Sequence, residues 1–217
     1  MIAKTFSATV LGIDAYLIEV EVDVSVGMSV FNIVGLPDST IKESRDRILS
    51  AVNNSGYSFP VRRVVVNLAP APLRKIGSGF DLLITLALLG TMGLLPLENL
   101  SRAMVVGELS LDSKIRPVCG ILPVAVATRE HELEQLILPK ANEVEAAVVE
   151  SIRRVPVSTL SEVVQYLKGD LQITPLDYDP AGIFSQQQHF EEDFQDVKGQ
   201  ELVKRALEVA TAGSHNL

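Results

Sequence analysis

The feature that most constrains the fold is one long apolar run that follows two glycines. The segment 77–90 reads GSGFDLLITLALLG, and apolar residues predominate as far as Leu97. A transmembrane helix needs about 20 predominantly apolar residues, whereas the stretch from 80 to 97 contains Asp81, two glycines and Pro96. We therefore expect a helix over roughly 79–93 that is buried in a protein core, and no membrane partner.

The composition supports a large apolar core in a reducing compartment. Of the 217 residues, 47% are hydrophobic and only 5% are aromatic, and the mean hydropathy is +0.26. A single cysteine, Cys119, excludes an internal disulfide and suits the cytosol. The N-terminal sequence lacks the apolar block of a signal peptide, because Asp14 interrupts it and charges alternate after that residue. We expect a cytoplasmic protein.

The periodicity of the chain predicts an α+β domain. Residues 18–26 alternate between apolar and polar, as in a half-buried strand, and residues 61–68 are rich in β-branched side chains. A helix is predicted near Thr40, where capping-box spacing with Glu43 opens an apolar face. From 136 to 168 short strands alternate with helices. The mixture predicts a sheet with helices covering one face.

Changes in composition predict three regions. A domain covers 1–169, and a linker covers 170–192, where prolines, a glutamine triplet and acids occur without a period. An amphipathic helix within 193–217 predicts the start of a second domain. Nine acids and three bases give 170–217 a charge of −6, which leaves −2 of the total −8 for 1–169. Neither region shows the basic field of a free-standing nucleic-acid-binding domain.

Several common sites are excluded by spacing. A phosphate-binding loop requires a Gly-Lys pair, and the chain contains none. The dinucleotide pattern G-x-G-x-x-G fails at Leu82, and the hydrolase pattern G-x-S-x-G fails at Ile76 and Phe80. The three histidines lie far apart and Cys119 has no cysteine partner, so we expect no metal site.

Two interpretations of Ser78 remain open from the residues alone. A serine at the start of a helix can act as a nucleophile if a lysine accepts its proton, and Lys75, Lys114 or Lys140 would have to reach it. Serine is also a preferred N-cap residue. In that interpretation Ser78 opens a packing helix, and Asp81 in the first turn favours the positive end of the helix dipole.

The stretch 107–144 resembles the proteolytic domain of Lon proteases. It contains GELSL at 107–111, PVCGI at 117–121 and LPKAN at 138–142, in the order and at the spacing of the Lon motifs. The resemblance implies the ribosomal S5 domain 2-like fold, which is the fold of the Lon proteolytic domain.

The same resemblance implies that the catalytic dyad is absent. In this register Leu122 and Val124 stand where the family has lysines, and Gly79 rather than Ser78 takes the place of the nucleophile. Without a lysine to accept its proton, a serine remains an ordinary hydroxyl. We expect no catalytic residues in this chain.

A more extensive resemblance is to the magnesium-chelatase-like AAA+ ATPases of the ComM/YifB type. The matching motifs are IVGLPD at 33–38 with KESRDR at 42–47, VNLAPA at 66–71 leading to GFDL at 79–82, and FQDVKGQ at 194–200. The sequence departs from the family at Pro72, where aspartate is usual, and at Leu83-Ile84, where Pro-Ile is usual.

This resemblance implies a non-catalytic Lon-like N-terminal domain joined to a hexameric AAA+ motor that uses ATP and Mg²⁺. The family acts in DNA processing during natural transformation, as a branch-migration helicase. We expect the present chain to end before the nucleotide loop and to hold no cofactor itself. Two alternatives stay open: a Ser-Lys peptidase with a displaced lysine, and a chelatase-type motor that inserts a metal into a tetrapyrrole.

Two groups of residues are candidate binding sites. The resemblance places Val197, Gly199 and Gln200 near the adenine of a bound nucleotide, and the alternative is a turn that merely opens a helix. Four basic residues border the strand at 61–68 and predict a basic patch that contacts DNA, namely Arg62, Arg63, Arg74 and Lys75. The alternative is a charged sheet edge that prevents aggregation.

Overall fold

The computed structural model describes residues 2–177 and 193–215. The chain divides into two compact units, Met1–Tyr178 and Asp179–Leu217. Most of the predicted linker, 170–192, lies outside the described residues. Its first part belongs to unit 1, because Ile173 packs against the core and the Leu176 N–H donates to the Glu143 carboxylate.

Unit 1 contains nine strands and seven α-helices among its described residues. The strands are β1 (Ile2–Leu11), β2 (Asp14–Ser25), β3 (Val30–Val34), β4 (Arg63–Ala69), β5 (Ala103–Val105), β6 (Glu108–Leu109), β7 (Ile115–Arg116), β8 (Gln135–Pro139) and β9 (Arg153–Val157). The helices are α1 (Ser39–Lys42), α2 (Ser44–Asn54), α3 (Asp81–Thr91), α4 (Leu97–Leu100), α5 (Ile121–Glu130), α6 (Glu143–Ala147) and α7 (Leu160–Lys168).

Seven strands form one mixed sheet in the order β3-β4-β2-β1-β5-β8-β9. The long β1–β2 hairpin is antiparallel, and β4 pairs antiparallel to β2. The other four pairings are parallel, and β6 and β7 form a separate two-stranded ribbon. The two antiparallel pairings lie between parallel ones, and such a mixed sheet is compatible with the predicted α+β class.

Helices cover both faces of the sheet, so the prediction of one covered face is wrong. Alternate residues of β8 enter different cores: Ile137 joins the core that contains α2, α3 and α7, whereas Leu136 and Leu138 join the core that contains α5. Parallel strands with helical crossovers are normally covered on both sides. The short run Leu136–Leu138 is therefore apolar throughout. Because it shows no alternation, its sequence did not reveal which side chain faces which core.

The apolar run of the sequence forms α3, which is buried almost completely. Ten of its eleven residues are buried. One side of α3 lies on the hairpin strand β1, whose residues beneath it are small and mostly polar: Ala3, Thr5, Ser7 and Thr9. Small side chains allow a helix to approach a sheet closely, but they also hide the strand from a search for apolar alternation. β1 is an element that the sequence did not predict.

Unit 2 contains one helical turn, Phe194–Asp196, followed by helix α8 (Glu201–Ala212). Of the α8 residues only Ala210 is buried, and the apolar residues Leu202, Val203 and Val209 are exposed. Within 2–177 and 193–215 no helix is both long and apolar enough to cross a lipid bilayer.

Candidate functional site

The candidate site is a cavity of about 580 Å³ at the start of α3. Three segments that are far apart in the sequence meet there, namely 77–80, 106–108 and 117–120, together with part of β1. Two of these segments belong to the GELSL and PVCGI motifs that carry the resemblance to Lon proteases. The lining residues are Ala8, Val10, Gly12, Ile76, Gly77, Ser78, Gly79, Phe80, Val106, Glu108, Pro117, Val118, Cys119, Gly120 and Val124.

The hydroxyl of Ser78 is hydrogen-bonded to a carboxylate and not to a lysine amine. Its Oγ donates a hydrogen bond to Glu108 Oε2. The carboxylate of Glu108 lies 3.5 Å from the guanidinium of Arg116 on β7. A carboxylate is a far weaker base than a neutral amine, so this arrangement fixes the serine hydroxyl without activating it.

Helix α3 begins at Asp81 with Phe80 as its N-cap residue, and no side chain caps it. The prediction that Ser78 caps the helix is therefore wrong. The serine lies two residues before the N-cap position, and its hydroxyl bonds across the cavity to a residue that is thirty positions away in the sequence.

No lysine in the part of the chain that the structure describes lines the cavity. Lys75 is fully buried and engaged elsewhere, and the Lys114 ammonium lies 2.7 Å from Asp112. At the positions of the family lysines, Val124 is buried at the cavity wall, whereas Leu122 is partly exposed at the start of α5. The described residues therefore offer Ser78 no displaced lysine.

Lys75 is a structural brace between two motif segments. Its Nζ donates 2.8 Å to the carbonyl of Gly35 and also donates to the carbonyl of Pro70. Its backbone N–H donates to Leu36 O, and its carbonyl accepts from the Asp38 N–H. Burial lowers the pKa of Lys75 below the usual range of lysine. The lysine thus connects the IVGLPD turn to the loop that leads into the cavity.

Asp38 continues this brace towards the cavity. Its carboxylate caps α1 by accepting from the Ile41 N–H at 2.9 Å, and its second oxygen accepts from the Gly77 N–H at 3.0 Å. Gly35 is required here because a Cβ at this position would lie 2.1 Å from the carbonyl oxygen of Leu68. The spacing of the IVGLPD and VNLAPA motifs therefore has a physical reason, since each supplies partners to the other.

The four basic residues of the predicted patch do not lie on one surface. Arg62 and Arg63 are exposed where β4 begins, whereas Arg74 is exposed beyond its other end. The seven residues of β4 separate these positions by roughly 20 Å. Lys75 is not on the surface at all. The reason is that each end of β4 leads into a different loop, which the sequence pattern did not reveal.

An ion pair with a buried carboxylate lies at the start of α3, next to the cavity. Asp81 is buried in the first turn of α3, and its carboxylate accepts from Arg47 Nε at 2.6 Å and Nη2 at 3.1 Å. It also accepts from the Leu109 N–H at 3.4 Å. Burial raises the pKa of Asp81 to about 6, while the bonds to Arg47 act in the opposite direction. The sequence predicted for Asp81 only an interaction with the helix dipole.

This pair explains why three motifs occur together. Arg47 comes from KESRDR, Asp81 from GFDL and Leu109 from GELSL, so one buried carboxylate joins all three. Sequence reasoning missed both this pair and the Ser78–Glu108 contact. The only available signal was a charged residue in the first turn of a helix that is otherwise apolar.

The three predicted nucleotide contacts lie in the turn that precedes α8. Gly199 and Gln200 both have left-handed backbone angles, with φ of 71° and 59°, and Gln200 is the N-cap residue of α8. Val197 is partly exposed just after the helical turn Phe194–Asp196. This geometry is that of a turn that opens a helix, and contact with a nucleotide stays a prediction.

The described residues contain no group of three or more His, Cys, Asp or Glu side chains that could hold a metal ion. Cys119 is a free thiol at the rim of the cavity.

The sheet, its helices and the motif contacts make this a mixed α/β domain, and comparison with known families identifies its family. The chain belongs to the Mg-chelatase ChlI family. The family model described as subunit ChlI of Mg-chelatase matches residues 20–142, and a model described as magnesium chelatase, subunit ChlI, matches residues 193–217.

Within that family the chain is of the ComM/YifB type. It is 37% identical over 219 residues to the competence protein ComM of Haemophilus influenzae, with 100% of this chain and 42% of the relative covered. It is 37% identical over 207 residues to the uncharacterized protein YifB of Escherichia coli, with 95% and 40% covered. An uncharacterized protein of Mycobacterium tuberculosis is 36% identical over 220 residues, with 100% and 42% covered. The chain thus spans about two fifths of the length of these relatives.

Proposed function

We propose that unit 1 is a non-catalytic, Lon-like domain of the ribosomal S5 domain 2 type, and that it belongs to an AAA+ motor that processes DNA. The motor would hydrolyse ATP with Mg²⁺, assemble as a hexamer and migrate DNA branches during natural transformation. Unit 1 would serve in assembly or in guiding DNA. The name of one relative, a competence protein, supports a role in transformation.

The observation that carries the non-catalytic assignment is the composition of the cavity. Segments that resemble Lon motifs, at 107–111 and 117–121, contribute to its wall. Among the described residues, the titratable side chains that line it are the carboxylate of Glu108 and the thiol of Cys119. Acyl transfer by serine needs a base that removes the hydroxyl proton. Because Val124 fills the wall where the family lysine is expected, the cavity is a framework without its catalytic group.

The residues of this chain do not by themselves fit a nucleotide. A triphosphate with Mg²⁺ is held by a loop of backbone N–H groups, an adjacent lysine and a Ser or Thr hydroxyl. The chain has no Gly-Lys pair, and the turn at 197–200 offers contact to a base at most. ATP and Mg²⁺ are therefore proposed for the longer protein and not for this chain.

A second candidate function is metal insertion into a tetrapyrrole, because the family models that match the chain are named for Mg-chelatase. The full-length protein distinguishes the two. We expect branched DNA to raise its rate of ATP hydrolysis and porphyrins to leave that rate unchanged. Stimulation by a porphyrin with Mg²⁺ incorporation, and none by DNA, would favour the chelatase.

A control for the DNA assignment is the present chain alone. Its net charge is −8, and the exposed Arg62 and Arg63 lie at the opposite end of β4 from Arg74. Non-specific binding of DNA by basic proteins has a Kd of about 10⁻⁴ to 10⁻⁶ M, and we expect this chain to bind at the weak end or below. Sub-micromolar, strongly salt-dependent binding to a branched duplex would place the DNA site in unit 1.

A further inference from the structure

The two edges of the main sheet differ in how they are protected. The β9 edge contains Pro156 and two arginines, and the Arg154 side chain donates to the carbonyl of Leu176 beside it. Proline and charged residues are the usual means by which edge strands avoid pairing with other chains. The β3 edge, VFNIV, has no proline and no charge. In the described part of the chain β3 pairs on one side only, with β4.

The β3 edge is flanked by exposed apolar side chains at alternate positions. We call Val26, Met28, Val30, Val34 and Leu36 the edge stripe. Val26 is 91% exposed, Met28 84% and Leu36 58%. No charged residue occurs from 24 to 37. Monomeric proteins seldom leave an ordered apolar strip of this kind in water, and a partner that covered it would have to be apolar and uncharged as well.

The sequence around β3 is a palindrome in chemical character. Residues 28–36 read MSVFNIVGL, and about the centre at Asn32 they pair Val with Val, Phe with Ile, a small residue with a small residue, and Met with Leu. If two such strands pair antiparallel about a two-fold axis, position i lies opposite position 64 − i. Within β3, at 30–34, apolar residues then face apolar residues and the two Asn32 amides face each other. The extended strand ends before Leu36, whose φ is 57°. A two-fold interface requires a self-complementary surface of this sort.

We propose that the β3 edge is a homotypic interface, at which two copies of this chain join their sheets through antiparallel β3 strands centred on Asn32. The main-chain N–H and C=O groups of each edge would find partners in the other copy. Cross-strand pairs such as Val30 with Val34 of the second copy would cover the edge stripe. The pairing uses no residue of the cavity and is independent of any ring that an ATPase module forms.

The size of this interface sets the expected affinity. One short strand and its flanks bury less than the roughly 800 Å² per partner of a standard stable interface. The association is therefore micromolar or weaker. In sedimentation equilibrium the apparent mass of the 217-residue chain should rise from 23.5 kDa towards twice that value as concentration increases from micromolar to submillimolar.

Cysteine crosslinking tests the register directly. Residues opposite each other in an antiparallel pair have Cα atoms about 4.5–5.5 Å apart, which lies within the range of about 4.4–6.8 Å that a disulfide spans. In a Cys119→Ser background with oxidised glutathione, Asn32→Cys should form a covalent dimer. Val30→Cys alone and Val34→Cys alone should not, but a mixture of the two should. Ile13→Cys, which is 88% exposed on the β1–β2 turn, is the matched control.

A charge variant provides the second measurement. Val30→Lys with Val34→Lys places lysines opposite lysines, and the dimer should weaken about tenfold or more. Ile13→Lys should leave association unchanged, and circular dichroism should show both variants folded. A wild-type chain that remains at 23.5 kDa up to millimolar concentration overturns the proposal. Crosslinking of Asn32→Cys no faster than of Ile13→Cys overturns the register and the interface with it.

Discussion

Helices α3 and α8 are almost equal in length, yet their surroundings are opposite. In α3 ten of eleven residues are buried, and its side chains meet β1 and β2. In α8 one of twelve residues is buried, although Leu202 and Val209 give it an apolar face. An apolar helical pattern in the sequence therefore does not by itself show that the helix packs into a core of this chain. α3 is stabilised by this chain, whereas the apolar face of α8 has no comparable burial.

The entrances of the two helices differ in the same way. The approach to α3 is fixed by buried and half-buried polar groups, including Lys75, Asp38 and the Arg47–Asp81 pair. The approach to α8 is an exposed capping box between Asp193 and Asp196, followed by two residues with left-handed backbone angles. Removing Arg47 would take the charged partner from the buried Asp81 carboxylate, whereas water can replace the exposed groups at α8.

The largest expected difference is in amide exchange. The amides of α3 should exchange only through global unfolding, which costs about 5–15 kcal/mol in small domains, whereas α8 should open locally. We therefore expect the central amides of α3 to exchange at least about 10³-fold more slowly than those of α8. Mass-spectrometric exchange of the chain at micromolar concentration measures both. Equal protection in the two helices would show that α8 is packed as firmly as α3.

Two matched truncations measure how much a buried and an exposed leucine contribute to stability. Leu86→Ala in α3 removes a fully buried side chain and should lower the free energy of unfolding by about 2–5 kcal/mol. Leu202→Ala in α8 removes a side chain that is 87% exposed and should change it by less than about 0.5 kcal/mol. Urea denaturation followed by circular dichroism gives both values. A loss of several kcal/mol at Leu202 would show that α8 shares the core.

The third test is the pH dependence of the buried pair. Folding raises the pKa of Asp81 to about 6 from 3.8, mainly through burial. A carboxyl group of this kind contributes most to stability below its unfolded pKa and loses that contribution as pH rises through the folded pKa. From pH 4 to pH 7 the stability of the native chain relative to Asp81→Asn should fall by about 2–3 kcal/mol. Urea titrations at four pH values measure it, and a relative rise would mean that Arg47 dominates.

The smallest expected effect concerns the brace. Lys75→Met keeps the bulk of the side chain but removes the Nζ donor that bonds the carbonyl groups of Gly35 and Pro70. We expect a loss of about 1–2 kcal/mol. Lys42→Met, on an exposed residue, should change stability by less than about 0.5 kcal/mol. If Lys75→Met matched that control, the lysine would not fasten the loop.

The sequence allowed the prediction of elements whose patterns are local. The apolar run predicted a buried helix at 79–93, and the structure confirms it as α3. The alternation at 18–26 and the β-branched run at 61–68 correspond to β2 and β4. In each case the pattern that identifies the element is the same one that buries it. The ordered motifs identified the family for the same reason, since they are contiguous stretches.

What the sequence did not allow were relations between distant residues. Strand β1 escaped prediction because the side chains beneath α3 are Thr5, Ser7 and Thr9. The Asp81–Arg47 pair joins residues 34 positions apart, and the Ser78 hydroxyl bonds a residue 30 positions away. Lys75 looked like a surface residue because a buried lysine without a carboxylate is rare. Its partners are two backbone carbonyls, which leave no trace in a sequence.

The reactivity of Ser78 distinguishes a non-catalytic domain from a peptidase. The chain is incubated with a fluorophosphonate probe, beside an active serine protease as a positive control and beside the Ser78→Ala variant. Because the cavity lining that the structure describes contains Glu108 and no lysine, the serine should stay unlabelled, and native chain and variant should give the same background. Stoichiometric labelling of the native chain that disappears in Ser78→Ala would contradict the account and restore the peptidase alternative.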